Sequence, residues 1–347
     1  MERYLARIDS PPFVWDNERL RHADWVFLRE AALAVGAARH LSSTEQGELV
    51  VDALSRETAA SAEIDGEPLS PESVKACVRR EMRLSFDDSA TDPMTCGAAG
   101  LTVEVLRHGA RHLGARTLSG WGALVSTARP TKSAQHELRR FVRWFGGSAL
   151  EDNADTMPLV RAGLAHLWFE SIHPYPDATG LVGRAVALKA IGQSLPEPAL
   201  IPLSPWYLSR RKDYHRALDE ACRDGDATEW LALFAAAVIE SCREYLARIE
   251  FVIAAEKLLR TLHDHISGRQ ETALRHLFRQ GPEPSPGLDT MSYASIAGVP
   301  ESVAEAEVAH LASLGALERI EHRHETRHRL NIPAPSVEKV RMEDLLR

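Results

Sequence analysis

The stretch Ser171-Ile172-His173-Pro174-Tyr175-Pro176-Asp177-Ala178-Thr179-Gly180-Leu181-Val182-Gly183-Arg184 decides how the rest of the chain is read. It predicts a helix ending at an exposed His-Pro pair, a compact loop with one carboxylate, and a new helix opening near Gly180 with Arg184 in its first turn. Backbone N–H groups at the start of a helix, reinforced by the positive end of its dipole, form an anion site whose natural occupant is a phosphate. Beside such a site His173 can accept a proton from an attacking hydroxyl, Asp177 can hold a divalent metal that bridges phosphate oxygens, and Arg184 can stabilise phosphate charge.

Outward from this loop the periodicity is helical. Apolar residues recur three and four apart over Arg21–Val35, Ser43–Ser61, Ser70–Leu84, Ala98–Leu113, Ser133–Phe145, Pro158–Ile172 and Leu181–Gln193. Ser43-Thr44-Glu45 and Ser70-Pro71-Glu72 supply helix-opening signals, and Pro158 suits a first turn. Between Thr117 and Thr131, Gly120 and Gly122 interrupt the pattern and predict a short hairpin. An apolar helix from about Leu246 to His265 ends at Ser267-Gly268, where a linker is expected. The tail then reads as helices over Glu271–Gln280, Ser292–Ala297 and Val303–Leu314 followed by a hairpin over Gly315–Asn331, an order that resembles a winged helix. The expected class is mainly α, divided into an N-terminal helical segment (1–90), a catalytic domain (91–266) and a winged-helix-like unit (267–347).

Composition excludes several classes of function. The chain has 347 residues, beyond the roughly 250–300 at which one hydrophobic core stops growing, so more than one packing unit is expected. Its formal net charge of −8 gives no general attraction for phosphate backbones or anionic membranes. The longest apolar run, Trp230–Ile239, falls well short of the ~20 residues of a membrane span, and the charged first residues lack a signal-peptide core, so a cytoplasmic protein without membrane contact is expected. Cys77, Cys96, Cys222 and Cys242 form no C-x-x-C pair and read as buried thiols. His322, His324 and His328 stand among Arg323, Arg327 and Arg329 and read as a solvated wing rather than a metal site, the strip to suspect if the tail contacts DNA. The third tail helix, by contrast, carries Glu301, Glu305 and Glu307 where a recognition helix would be basic.

The motif resembles the Fic-domain signature H-P-[FY]-x-[DE]-G-N-G-R-x-x-R, and Ala165-His166-Leu167-Trp168-Phe169 resembles the helix that leads into it. His173, Pro174, Tyr175, Asp177, Gly180 and Arg184 agree, whereas Ala178, Thr179 and Leu181 replace Gly, Asn and the first Arg. Ser61-Ala62-Glu63-Ile64-Asp65-Gly66 resembles the family's inhibitory motif [ST]-x-x-x-E-[GN], with Asp65 in place of Glu and Glu63 as the neighbouring carboxylate. The opening Tyr4–Trp15 and the positions Arg210, Tyr214 and Thr228–Leu231 also resemble the family, so the likeness spans roughly residues 1–252.

The resemblance implies a helical fold with a β-hairpin flap near Leu124–Thr127, ATP as donor with Mg²⁺ held by Asp177, and transfer of AMP to a Ser, Thr or Tyr hydroxyl of a protein target, the chain itself included. His173 would be the base; Ala178, Thr179, Gly180, Gly183 and Arg184 would hold the donor; Ser61, Asp65 and Gly66 would form the inhibitory clamp on Arg184. Family members that dimerise make a homodimer part of the expectation. His166 reads as a buried supporting histidine. The three departures leave two other readings open: a different phosphate-linked donor or removal of AMP, and a non-catalytic nucleotide-sensing regulator with a winged helix.

Overall fold

The computed structural model describes residues 10–85, 92–109, 111–147, 157–195, 201–282, 287–322, 325–333, 337–340 and Leu345. The chain forms helices α1 (Asn17–Ala38), α2 (Ser43–Ile64), α3 (Pro71–Glu81), α4 (Pro93–Arg107), α5 (Ala115–Val125), α6 (Lys132–Gly147), α7 (Pro158–Ile172), α8 (Thr179–Gly192), α9 (Ser204–Ser209), α10 (Arg211–Asp224), α11 (Thr228–Leu262), α12 (Gly268–Phe278), α13 (Thr290–Ala297) and α14 (Glu301–Ser313), then strands β1 (Leu317–His322) and β2 (Glu325–Leu330). The protein is mainly α-helical, with one two-stranded antiparallel hairpin among the described residues. None of these helices is long and apolar enough to cross a membrane.

The chain divides into two compact units, residues 1–36, 46–243 and 338–347 in one, and 37–45 and 244–337 in the other. In the first, α7 and α8 pack on each other, and nearly every residue of both is buried. A helix surrounded on all sides is apolar all round. The pair is sheathed by α4, α6 and α10. α11 joins through Trp230, whose indole N–H donates to the Gly163 carbonyl at 2.9 Å. α2 is tied in by Thr58, which donates to Thr102 Oγ1 of α4 at 2.9 Å.

Two expectations differ from the structure here. The segment Thr117–Thr131 is not a hairpin: Ala115–Val125 is helical, with Leu118, Trp121, Gly122 and Val125 on its buried face. Gly122 serves close packing rather than a turn, since a Cβ there would lie 2.2 Å from Tyr175 Cζ. The flap expected near Leu124–Thr127 is therefore a helix end followed by an extended Ser126. The second difference concerns the cysteines, of which Cys242 is a buried thiol, Cys222 is exposed, and Cys77 and Cys96 form a disulfide. The last two are 19 residues apart and meet because α3 packs against α4, which no sequence spacing reveals. The helix expected from about Leu246 is the second half of the longer α11.

The second unit closes its own core from Leu259 and Leu262 of α11, Leu274 and Leu277 of α12, Tyr293 of α13, Val308 and Leu311 of α14, and Leu317 of β1. Ser267 and Gln270 form a reciprocal capping box at the start of α12. β1 and β2 pair from Leu317 opposite Leu330 to His322 opposite Glu325. Arg327 is paired with Asp289 and Arg329 with Glu318, so part of the expected basic strip is neutralised within the unit. Arg323 and His324 lie outside the described residues.

Candidate functional site

α7 stops at His173, which adopts the left-handed conformation (φ +48°) while its N–H still donates to the carbonyls of Glu170 and Phe169 at 3.1 and 3.3 Å. A non-glycine residue in that region, immediately before proline, costs of order 1–3 kcal/mol and persists where the surroundings enforce it. The surroundings are Pro174 and Tyr175, both buried. The Tyr175 ring packs on Gly122 and its hydroxyl donates to the Leu118 carbonyl at 3.4 Å, fastening the loop to α5. His173 and Asp177 are left exposed on the same short loop.

Asp177 is oriented by Ser126, whose hydroxyl donates to Oδ1 at 2.5 Å. Ser126 is a site residue that the motif alone does not indicate; the only sequence signal is its place within the expected flap. Asp177 is a single exposed carboxylate, and no cluster of three or more ligating side chains occurs among the described residues. That donor set fits Mg²⁺ arriving with a triphosphate, because Mg²⁺ is commonly held by one or two carboxylates together with substrate phosphates.

The first turn of α8 divides its donors. The N–H groups of Ala178 and Thr179 both go to the Tyr175 carbonyl, at 3.0 and 2.8 Å. The Thr179 hydroxyl donates to that carbonyl as well and accepts from the Tyr175 N–H. Ala178 and Thr179, expected to grip the donor, thus close the loop. The N–H groups of Gly180 and Leu181 have no acceptor among the described residues, as expected for the open end of a helix. The Ala178 methyl is tolerated because its φ is −151°. Gly183 faces the other way, a Cβ there lying 2.5 Å from Glu170 Oε1, so its role is packing. Leu181, where the family signature has its first Arg, is only 4% exposed and belongs to the core.

Arg184 is 2% exposed and fully engaged. Its Nε donates to Ser61 Oγ at 2.7 Å, and Nη2 donates to the Ser61 carbonyl and to Asp65 Oδ2, both at 2.8 Å. Ser61, Asp65 and Arg184, about 120 residues apart in sequence, therefore meet as the motifs imply. Asp65 is close enough despite its short side chain because Gly180 lies beneath it: a Cβ at Gly180 would be 2.6 Å from Asp65 Oδ1. The carboxylate thus covers the start of α8. Gly66 follows with φ +95°, the left-handed turn that releases the chain from α2. Burial acts to lower the Arg184 pKa, but Tyr214, Asp65 and Glu170 outweigh it and raise the value above the ordinary one, so the guanidinium stays charged.

Behind Arg184 lies a polar layer that no motif or spacing in the sequence indicates. Tyr214 Oη sits 3.1 Å from His166 Nε2 and 3.5 Å from Arg184 Nη1, and Glu170 Oε1 is 3.6 Å from the same imidazole nitrogen. Burial drives the His166 pKa down and that of Tyr214 up, so both are neutral near pH 7. Tyr207, Trp230 and Phe234 ring the imidazole. These contacts bear out a supporting place for His166 in the core, against the back of the Arg184 site.

Comparison with known proteins adds a family to this geometry. Residues 99–191 match the Fic/DOC family model, and residues 6–84 match the model of a domain of unknown function, DUF4172. Among solved structures, a Fic family protein from Desulfovibrio desulfuricans G20 superposes with a TM-score of 0.51 over 92% of this chain and 98% of that one, at 16% identity. The structural likeness is one of fold, and the sequence match supplies the domain. The chain therefore carries a Fic/DOC-family domain at residues 99–191, preceded by a domain of unknown function at residues 6–84.

Proposed function

We propose that the protein is a Fic-type transferase that moves AMP from ATP to a hydroxyl side chain of a protein, and that Asp65 holds it inactive. One observation carries this reading: an exposed His173 and Asp177 flank the start of α8, and the Arg184 guanidinium is occupied by the carboxylate of Asp65, the residue that follows α2. In the proposed step His173 takes the proton of a Ser, Thr or Tyr hydroxyl as that oxygen attacks the α-phosphorus, and pyrophosphate leaves. The free N–H groups of Gly180 and Leu181 stabilise the developing phosphate charge, aided by Arg184 once Asp65 has moved away. Magnesium, held by Asp177 when bound, would neutralise phosphate oxygens.

The inhibition follows from electrostatics. A carboxylate lying over a helix N-terminus repels an incoming phosphate and satisfies the cation meant for it. A charged hydrogen bond of this kind is worth about 1.5–3 kcal/mol, so its removal should raise the rate about 10- to 100-fold. Leu181 carries no charge where the signature has its first Arg, so the donor's outer phosphates lack a second cationic arm, which favours including donors other than ATP in any test.

The test is intact-mass spectrometry of the wild type, Asp65→Gly and His173→Ala after incubation with Mg²⁺ and ATP, then with other nucleotides, the chain itself serving as acceptor. An adduct of AMP mass that increases in Asp65→Gly and is absent from His173→Ala is the expected result. An adduct that persists in His173→Ala removes the base assignment, and equal adducts in wild type and Asp65→Gly remove the clamp. Absence of any adduct in Asp65→Gly with every donor overturns the transferase reading.

A further inference from the structure

The Fic domain carries a charge pattern opposite to that of the chain as a whole. No Asp or Glu occurs between Glu104 and Glu137, and residues 105–147 hold eight Lys/Arg against the single Glu137, a net of +7. The remainder of the chain accordingly carries −15, since the total is −8. On α6 this charge is ordered. Ala134, Leu138, Phe141 and Phe145 form the inward stripe, and Lys132, His136, Arg139 and Arg143 repeat at the same spacing on the opposite side.

Arg129, Lys132, His136 and Arg139 are exposed, and none has a carboxylate partner among the described residues. Helix stability does not explain the arrangement. Lys132 opens α6, where the dipole disfavours a cation, and the first turn holds no acid.

The stripe begins where the candidate site ends. The segment from Ser126 to Thr131 joins α5 to α6, and Ser126 donates to Asp177 Oδ1. A polypeptide bringing a hydroxyl to His173 across this segment would continue along Arg129, Lys132, His136 and Arg139. From Lys132 to Arg139 the helix rises roughly 10 Å, the length of about three residues of extended chain.

We propose that the solvent face of α6, together with Arg129, is a docking surface for a short acidic polypeptide segment flanking the hydroxyl to be modified. The place of docking in the reaction rests on the transferase reading above; the binding itself does not. A short acidic segment fits better than a long polyanion because the remaining −15 of the chain repels a polymer that extends beyond the stripe.

The experiment uses the full chain and a fluorescein-labelled peptide in which five Glu precede Tyr-Ser-Thr, its Gln counterpart, and a short DNA duplex, followed by anisotropy at 20 and 200 mM NaCl. The variants are Lys132→Glu/Arg139→Glu and, as a charge-matched control on α10, Lys212→Glu/Arg216→Glu. All four positions are exposed, and circular dichroism confirms folding. The expected result is binding of the Glu peptide that weakens at least tenfold with salt, with Gln for Glu, and in Lys132→Glu/Arg139→Glu, while the control is unchanged. Equal binding by wild type and Lys132→Glu/Arg139→Glu, equal binding of the Glu and Gln peptides, or duplex binding in place of peptide binding overturns the proposal. The ATP-dependent mass adduct is measured on the same variants. An adduct without peptide docking removes the docking surface alone, and docking without an adduct in Asp65→Gly removes the transferase reading alone.

Discussion

His166 shows how one buried group links the site to the stability of the fold. Its ring is wholly buried among Tyr207, Tyr214, Trp230 and Phe234, and its Nδ1 has no partner among the described residues. Burial lowers its pKa, whereas in the unfolded chain it titrates near about 6.5. Below that pH the unfolded state binds a proton that the folded state refuses, so the contribution of His166 to stability is intact above pH 6.5 and declines as the pH falls, by up to about 1.4 kcal/mol per unit. Denaturant unfolding of the wild type and His166→Gln between pH 7.5 and 5.5 should show a steeper loss for the wild type. Parallel curves would mean that burial does not shift the imidazole away from its titration in the unfolded chain.

At the scale of elements, the loop and α5 act as one piece because Tyr175 is seated against Gly122. Gly122→Ala drives a methyl into that ring and is expected to cost about 1–3 kcal/mol, read as a lower midpoint in urea. Tyr175→Ala removes the obstacle, so the double variant should be less destabilised than the two single effects added together; additivity would show that the contact does not hold the loop. The same pair explains what the sequence discloses and what it conceals. The ends of α7 are legible to the residue, from Pro158 in its first turn to His173 before Pro174, because local chemistry fixes them. α5 is concealed because Gly120 and Gly122 imitate a turn, and the reason for Gly122 is a ring 53 positions further along the chain. The motif residues His173, Asp177 and Arg184 and the Ser61/Asp65 pair were legible from type and spacing. Ser126 and Glu170 were not, since their contacts with Asp177 and with the back of α8 depend on packing.

At the scale of the whole molecule, the N-terminal helices are knit into the unit that contains the candidate site. Asp24 accepts from the Leu159 N–H at 2.8 Å, Glu57 accepts from the N–H groups of Leu203 and Ser204 at 2.8 and 2.9 Å, and Ser61 and Asp65 hold Arg184. Leu20, Phe27, Val51, Leu54, Ile64 and Val74 are completely buried. Six such side chains, at about 1.5–3 kcal/mol each, contribute about 9–18 kcal/mol, and even half of that rivals the 5–15 kcal/mol by which a typical domain is stable. A clamp built into the fold in this way cannot be removed by truncation without removing the fold that carries it, whereas Asp65→Gly deletes only the carboxylate. Residues 93–347 expressed alone should therefore lack the cooperative thermal transition of the first unit, and co-expression with residues 1–92 should restore it. A fragment that melts cooperatively within a few degrees of the full chain would show instead that α1–α3 form a detachable regulator, and inhibition would then be relieved by their dissociation rather than by a local shift of Asp65 away from Arg184.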